Sequence, residues 1–298
     1  MKVAIVGLGL IGGSIAIDLQ AASFATELCG VETNAEHVQQ ARSRGFCDSI
    51  APLAEALAGA DLVILCLPVD SLLNVLPSVL DQVSAQTTVT DMGSTKSALC
   101  ERLKNHPRRQ QYVAAHPMAG TEYSGPLAAK RGLFQNRTTV ICESELSGAL
   151  HLRRVDALFD ALGLRKVFMS AKDHDLHAAY ISHLSHISSF VLANTVLDKE
   201  KDVSAIFDLA GGGFESTVRL AKSSPEMWNP IFAQNRDNIL QALNAYLEHL
   251  TVFRDSLVAQ KAPATYALMK NANSISRVLQ TLSLKSAGSS TAKPGRPS

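Results

Sequence analysis

A chain of 298 residues, 46% hydrophobic and 18% charged, has enough apolar material for two cored domains and is not the composition of a disordered protein. Its 28 Lys and Arg against 27 Asp and Glu leave no basic field for nucleic acid or an anionic membrane surface, so the partner it implies is a small molecule, with any anion captured locally. The first residues enter a short apolar strand without a basic leader or cleavage pattern. No apolar run is long enough to span a bilayer, which predicts a cytoplasmic protein with no membrane partner. Cys29, Cys47, Cys66, Cys100 and Cys142 are odd in number and lack CxxC spacing, so they read as small buried apolar side chains, neither a disulfide framework nor a metal site.

In chain order, apolar runs at Val3 to Val6, Leu28 to Val31, Leu62 to Leu67, Thr88 to Thr90, Tyr112 to Ala115, Thr139 to Cys142 and Lys166 to Met169 alternate with helical patterns. This alternation predicts a mostly parallel sheet covered by helices on both faces, an α/β domain over residues 1–171. Beyond Ala171 the pattern becomes helical throughout, at Asp173 to Leu197, Glu226 to about Leu257 and Pro263 to Leu284, which predicts an all-helical domain over 172–285. Ser224-Pro225 reads as an N-cap followed by Pro at the first helical position. Long apolar helices without a strand partner predict pairing with a second copy, a homodimer. There is no internal repeat, and 286–298, rich in Ser, Gly, Lys and Pro, reads as a disordered tail.

The first strand runs straight into Gly7-Leu8-Gly9-Leu10-Ile11-Gly12, a GxGxxG turn that opens an apolar helix. Gly7 permits the tight turn, Gly9 the approach of a diphosphate, and Gly12 the packing of helix on strand. The helix start at Gly9, Leu10, Ile11 and Gly12 then faces the anion with free N–H groups. Glu32 ends the second strand where a carboxylate bonds the adenosine ribose and repels a 2′-phosphate, and Thr33 and Asn34 follow in place of a phosphate-binding Arg. The 1–171 domain therefore reads as a Rossmann dinucleotide-binding domain that takes NAD rather than NADP, with Leu67-Pro68-Val69 as a wall along the cofactor. Downstream, His116-Pro117-Met118-Ala119-Gly120-Thr121-Glu122 sets one imidazole in a Gly-rich loop directly after an apolar strand. An imidazole with a pKa of ~6.5 takes a hydroxyl proton near neutral pH while a nicotinamide takes the hydride, which is dehydrogenase chemistry. The bland alternative is a satisfied histidine at a strand end.

Three segments resemble the prephenate and arogenate dehydrogenase family, with the likeness running from Met1 to Leu284: Asp91-Met92-Gly93-Ser94-Thr95-Lys96, the His116 to Gly125 loop, and Ser182-His183-Leu184-Ser185-His186 together with Gly211-Gly212-Gly213-Phe214 through Arg219. The resemblance implies that His116 accepts the ring-hydroxyl proton, that Ser94 hydrogen-bonds the reacting hydroxyl or the imidazole, and that Arg219 holds a substrate carboxylate. It further implies that His186 lines the substrate pocket, with His183 supporting it, and that Thr121 and Glu122 face the substrate, Glu122 pairing with Arg219 in the empty site. Alternatives stand beside these roles. Ser94 also suits a cap for a helix starting near Thr95, Lys96 a solvated first turn, the two histidines a protein core, and Arg219 a solvated helix face. Nothing completes a zinc set around His183 and His186, so no metal is expected.

One departure from the family is Ser216, with Glu215 beside it, where many relatives carry Asp; the missing carboxylate weakens recognition of the amino group of arogenate. The resemblance thus implies NAD-dependent oxidative decarboxylation of prephenate to 4-hydroxyphenylpyruvate in tyrosine biosynthesis. Its rivals are an arogenate or dual-specificity enzyme, a β-hydroxyacid dehydrogenase and a non-catalytic NAD-binding protein. The β-hydroxyacid class needs a helical catalytic Lys, and Lys222 stands outside that pattern. A mere NAD-binding protein has no need of His116, Ser94 and Arg219 together.

Overall fold

The computed structural model describes residues 1–202 and 205–288. Eight strands form one sheet: β1 (Lys2–Val6), β2 (Glu27–Val31), β3 (Ser49–Ile50), β4 (Leu62–Leu65), β5 (Thr88–Asp91), β6 (Tyr112–Pro117), β7 (Thr138–Cys142) and β8 (Arg165–Met169). Their spatial order is β3-β2-β1-β4-β5-β6-β7-β8, and every neighbouring pair is parallel except β6 with β7. Between the edge strands β3 and β8 both faces are buried because alternate residues feed different cores. Val3 and Ile5 of β1 join one apolar cluster, Ala4 and Val6 the other.

The helices are α1 (Leu10–Ala21), α2 (Ala35–Ser43), α3 (Leu53–Leu57), α4 (Val69–Gln82), α5 (Ser97–Leu103), α6 (Ala149–Ala161), α7 (Ala171–Ala178), α8 (Leu184–Asp202), α9 (Gly212–Val218), α10 (Pro225–Gln234), α11 (Arg236–Val258), α12 (Ala262–Ala272) and α13 (Ile275–Gly288). Ile15 and Leu19 of α1 with Leu158 and Phe159 of α6 cover one face of the sheet; Leu72, Leu76 and Leu80 of α4 with Leu99 and Leu103 of α5 cover the other. This is the expected α/β architecture. Residues up to Ile239 form one compact unit, which includes α7 to α10, and those from Leu240 a second. In the second unit Leu247, Leu250, Phe253, Leu257, Tyr266, Met269, Val278 and Leu279 are exposed.

Several expectations about elements change. The segment 173–197 belongs to one run from α7 into α8 through a single π turn, Ala179–His183. The segment 226–257 divides at Asn235, whose backbone leaves the helical region while its side chain bonds inward, and 263–284 divides at Asn273 and Ser274, both poor helix formers. Ser224 does cap α10, accepting from the Met227 amide at 3.3 Å with Pro225 in the first turn. β3 escaped the sequence reading because two residues carry no periodicity. Residues 286–288 close α13, and the rest of the expected tail, 289–298, lies outside the described residues.

The feature that positions the site is a buried ion pair. Lys96, read as a solvated residue, is fully buried: its ammonium donates to the Asp91 carboxylate at the end of β5 and to the Ala115 carbonyl at 2.7 Å. Asp91 also accepts from the Tyr112 hydroxyl at 2.7 Å, the Gly93 amide at 2.8 Å and the Ala115 amide at 3.3 Å. Both backbone groups of the residue before His116 are therefore held. A buried carboxylate stripped of its cation is strongly unfavourable, so Lys96→Met is expected to cost about 3–5 kcal/mol in urea denaturation. A loss below about 1 kcal/mol would show that the pair is not what holds this corner.

Candidate active site

The dinucleotide cradle assembles at the carboxyl ends of β1, β2 and β4. Gly7 has φ +91°, and a Cβ there would lie 2.5 Å from the Cys66 carbonyl oxygen; one on Gly12 would lie 1.9 Å from the Gly7 oxygen. Gly9 is different. Its φ of −69° suits any residue, and a Cβ would meet nothing within 4 Å, so the protein's own packing does not call for glycine there. The open space lies before the start of α1, which no side chain caps, and it fits an approaching diphosphate. The Glu32 carboxylate is oriented by the amides of Leu8 (3.1 Å), Thr33 (2.9 Å) and Asn34 (3.0 Å). The Asn34 side chain is occupied in capping α2. Leu67 and Pro68 fall just past β4, which ends at Leu65, two residues earlier than the sequence pattern indicated. A Leu67 methyl would lie 3.2 Å from a Cβ on Gly7, so this wall borders the cradle.

His116 lies inside β6 rather than in the loop after it, because β7 pairs antiparallel with it at His116↔Val140 and Pro117↔Thr139. It is buried, and its Nδ1 lies 2.8 Å from His174 Nε2; His174 Nδ1 lies 2.8 Å from Asp175 Oδ1. These contacts fix the tautomers. A carboxylate only accepts, so His174 carries its hydrogen on Nδ1 and offers a lone pair at Nε2. His116 must then donate from Nδ1, which leaves its own Nε2 as a free base. Asp175 also accepts from the amides of Lys96 and Ser97, each at 2.8 Å, and so caps α5 from a distant helix. Burial alone raises the Asp175 carboxyl, but the bonds from His174, Ser97 and Lys96 hold it below the ordinary carboxylate range. Burial, followed by the neighbouring His174 and Lys96, pushes the His116 imidazole well below its usual value and keeps it neutral. Ser94 is not the cap of α5, which starts at Ser97, and its hydroxyl has no hydrogen-bond partner among the described residues.

The π turn brings a second pair of imidazoles to the same unit. Asn235 donates from Nδ2 to the Asp175 carbonyl (2.7 Å) and to His183 Nδ1 (3.1 Å), so neutral His183 carries its hydrogen on Nε2. Burial lowers His183 to about 4. The ring of His186 lies 3.6 Å, centroid to centroid, from that of Trp228, and the His183 ring meets Trp228 edge-on at 5.8 Å. Arg219 follows α9 and pairs with Glu122 at 2.8 Å. Glu122 is held below the ordinary carboxylate range by its own backbone amide and by Arg219. Thr121 accepts from the Tyr123 amide at 3.2 Å, shaping the loop. The loop, Arg219, Lys130 and Arg137 line a cavity of about 410 Å³.

The structure thus brings Gly7, Gly9, Leu10, Ile11, Gly12, Glu32, Leu67 and Pro68 to one sheet edge, joins Glu122 to Arg219, and sets His186 against the face of Trp228 with His183 edge-on to it. Sequence reasoning missed His174, Asp175, Asn235 and Trp228. The adjacent His-Asp pair in the middle of α7 is the one signal that was available; nothing local ties it to a residue 58 positions earlier.

A dinucleotide cradle with a buried, tautomer-fixed base on the same sheet defines a dinucleotide-dependent oxidoreductase. The model for the nucleotide-binding domain of prephenate dehydrogenase matches residues 15–168, and that for its dimerization domain matches 170–271. The chain is 31% identical to the prephenate dehydrogenase of Lactococcus lactis over 84% of this chain and 69% of the relative. Among solved structures it resembles the prephenate dehydrogenase from A. aeolicus in complex with hydroxyphenyl propionate and NAD+ (28% identity, 93% of this chain and 98% of that one, TM-score 0.85). It also resembles the Synechocystis arogenate dehydrogenase (28% identity, 94% and 100%, TM-score 0.76). The chain belongs to the prephenate dehydrogenase family.

The contrast between Gly9 and the other glycines yields a test. Gly9→Ala is expected to change folding stability by no more than about 1 kcal/mol, because the new methyl meets no protein atom, while weakening NAD binding at least about tenfold. Fluorescence titration with NAD, alongside thermal denaturation, checks both halves; unchanged affinity would remove the diphosphate from this position.

Proposed function

We propose that the protein catalyses the NAD-dependent oxidative decarboxylation of prephenate to 4-hydroxyphenylpyruvate in tyrosine biosynthesis. The observation that carries the reading is the chain Asp175–His174–His116, which leaves a neutral His116 Nε2 as base. Gly9 to Gly12, Glu32, Leu67 and Pro68 are the residues that would hold NAD, and the Glu32 carboxylate supports NAD over NADP. Bound there, the nicotinamide supplies the hydride acceptor for the carbon that carries the ring hydroxyl.

His116 Nε2 takes the hydroxyl proton as that carbon is oxidised, and its Nδ1–H, held by His174, keeps the ring aimed as it becomes imidazolium. Ser94, with its hydroxyl free, orients the same oxygen. The ring ketone so formed accepts the electron pair of the bond to the carboxylate; carbon dioxide leaves, and the ring oxygen regains a proton as a phenol. Arg219 holds a substrate carboxylate with two parallel N–H groups once it is released from Glu122. His183, His186, Thr121 and Glu122 line the remainder of the substrate site.

Ser216 supports prephenate over arogenate: its hydroxyl is tied to the Gly213 carbonyl at 2.9 Å, and no carboxylate stands at that position to meet an ammonium. The exposed apolar residues of α11 to α13 support a homodimer. Among the described residues no helix is long and apolar enough to cross a membrane, which accords with a cytoplasmic site of action.

NAD reduction followed at once with prephenate and with arogenate tests the assignment; no turnover with either overturns it. His116→Asn is expected to keep NAD binding and lose about a hundredfold or more in kcat. His116 is lowered by burial, so it stays a base on the acid side of the usual 6.5, and kcat should hold through that pH and fall only below it. An acid limb centred at or above 6.5 would contradict the geometry. His174→Phe removes the acceptor that fixes the imidazole, and kcat should fall about tenfold to a hundredfold with KM little changed; a mutant equal to wild type would reduce His174 to packing.

A further inference from the structure

His183 and His186 stand three residues apart against one tryptophan, yet their hydrogen-bond partners put their hydrogens on opposite nitrogens. His183 receives the Asn235 amide at Nδ1, so its Nε2 is a donor. His186 does the reverse. Its Nδ1 lies 3.0 Å from the Ser182 carbonyl oxygen, which only accepts, so the hydrogen is on Nδ1 and Nε2 presents a lone pair. Stacking on Trp228 at 3.6 Å and the tether to Ser182 hold the ring in that orientation.

We propose that His186 reads the side chain of the substrate by protonation state: its neutral Nε2 accepts from an amino-acid side chain directly, whereas a keto-acid side chain, which offers only acceptors, binds with uptake of one proton at His186. This rests on the proposed substrate site. An ammonium brings N–H donors to the lone pair and leaves His186 neutral. A pyruvyl group brings a ketone and a carboxylate, and two acceptors facing each other repel until a proton lies between them. Burial lowers His186 in the free protein against the bond to the Ser182 carbonyl, which raises it, and the Arg219 cation adds to the lowering, so the neutral form prevails above pH 6.5. The charged group acting on this ring is Arg219 from the turn after α9, itself paired with Glu122; His183 on the same helical run titrates against it but is neutral at this pH, and Trp228 from α10 is uncharged. An incoming carboxylate offsets Arg219 with either side chain, so the difference between them is set by the ketone against the ammonium.

The test is isothermal titration calorimetry of the full chain saturated with NAD, at about pH 7.5, in buffers of different ionisation enthalpy, using 4-hydroxyphenylpyruvate and L-tyrosine as probes. The keto acid should take up about one proton more than tyrosine, and its Kd should rise about tenfold per pH unit in the range where tyrosine binding stays flat. The two probes share the phenol, so any proton taken by His116 cancels in the difference. His186→Gln should abolish the difference while both probes still bind. Equal proton uptake by both ligands in the wild-type protein, or a difference that survives in His186→Gln, overturns the proposal. Binding of neither probe by a protein that binds NAD overturns the substrate reading itself, and this inference with it.

Discussion

The candidate active site hangs on one buried carboxylate. Asp175 sits in α7, far along the chain from the sheet strands, yet it accepts from the Lys96 and Ser97 amides that open α5 and from the imidazole of His174. A carboxylate buried this deeply is tolerated because every contact made by its oxygens is a donor. The same set of bonds does two structural tasks. It closes the start of a short helix that has no cap of its own, and it forces the hydrogen of His174 onto Nδ1, from which the direction of every later bond to His116 follows.

Lys96 joins this anion to a second one. Its amide serves Asp175 and its ammonium serves Asp91, and Asp91 in turn holds the Ala115 amide and the Tyr112 hydroxyl. His116 is therefore framed on its strand by one ion pair and on its ring by the hydrogen-bonded His174–Asp175 pair. The arrangement has an electrostatic consequence. Burial and a nearby cation make His116 a weaker base than a free imidazole, but one that is unprotonated at neutral pH and thus always ready to accept.

Substrate choice rests on far fewer atoms than the fold. Prephenate and arogenate dehydrogenases of known structure resemble this chain at the same 28% identity. The two substrates differ only in whether the side chain carries a ketone or an ammonium, so discrimination reduces to the polarity of a few groups. In the reading proposed for this chain, Ser216 with its hydroxyl turned to Gly213, and the lone pair of His186, would be such groups. Because one imidazole changes polarity with a single proton, the preference of such a site is tied to pH in a way that a fixed Asp or Arg would not allow.

Local rules carried the sequence reading as far as the strands and the cradle. The apolar runs of β1, β2 and β4 to β7 are buried on both faces and announce themselves without context, and that of β8 is legible although Val167 and Phe168 are exposed at the sheet edge; Gly7 and Gly12 are set by backbone geometry within a few residues, and Glu32 by its place at a strand end. Motif resemblance singled out His116, His183, His186 and Arg219. Tertiary structure decided the rest. Lys96 looked solvated because nothing in its neighbourhood reveals that α5 starts against a buried carboxylate, and the extension of β6 through His116 depends on antiparallel pairing with β7. Above all, which nitrogen of an imidazole carries its hydrogen is set by the partner it meets. Those partners lie 58 residues away for His116 and 52 for His183, so only the folded chain determines which of its histidines gives a proton and which receives one.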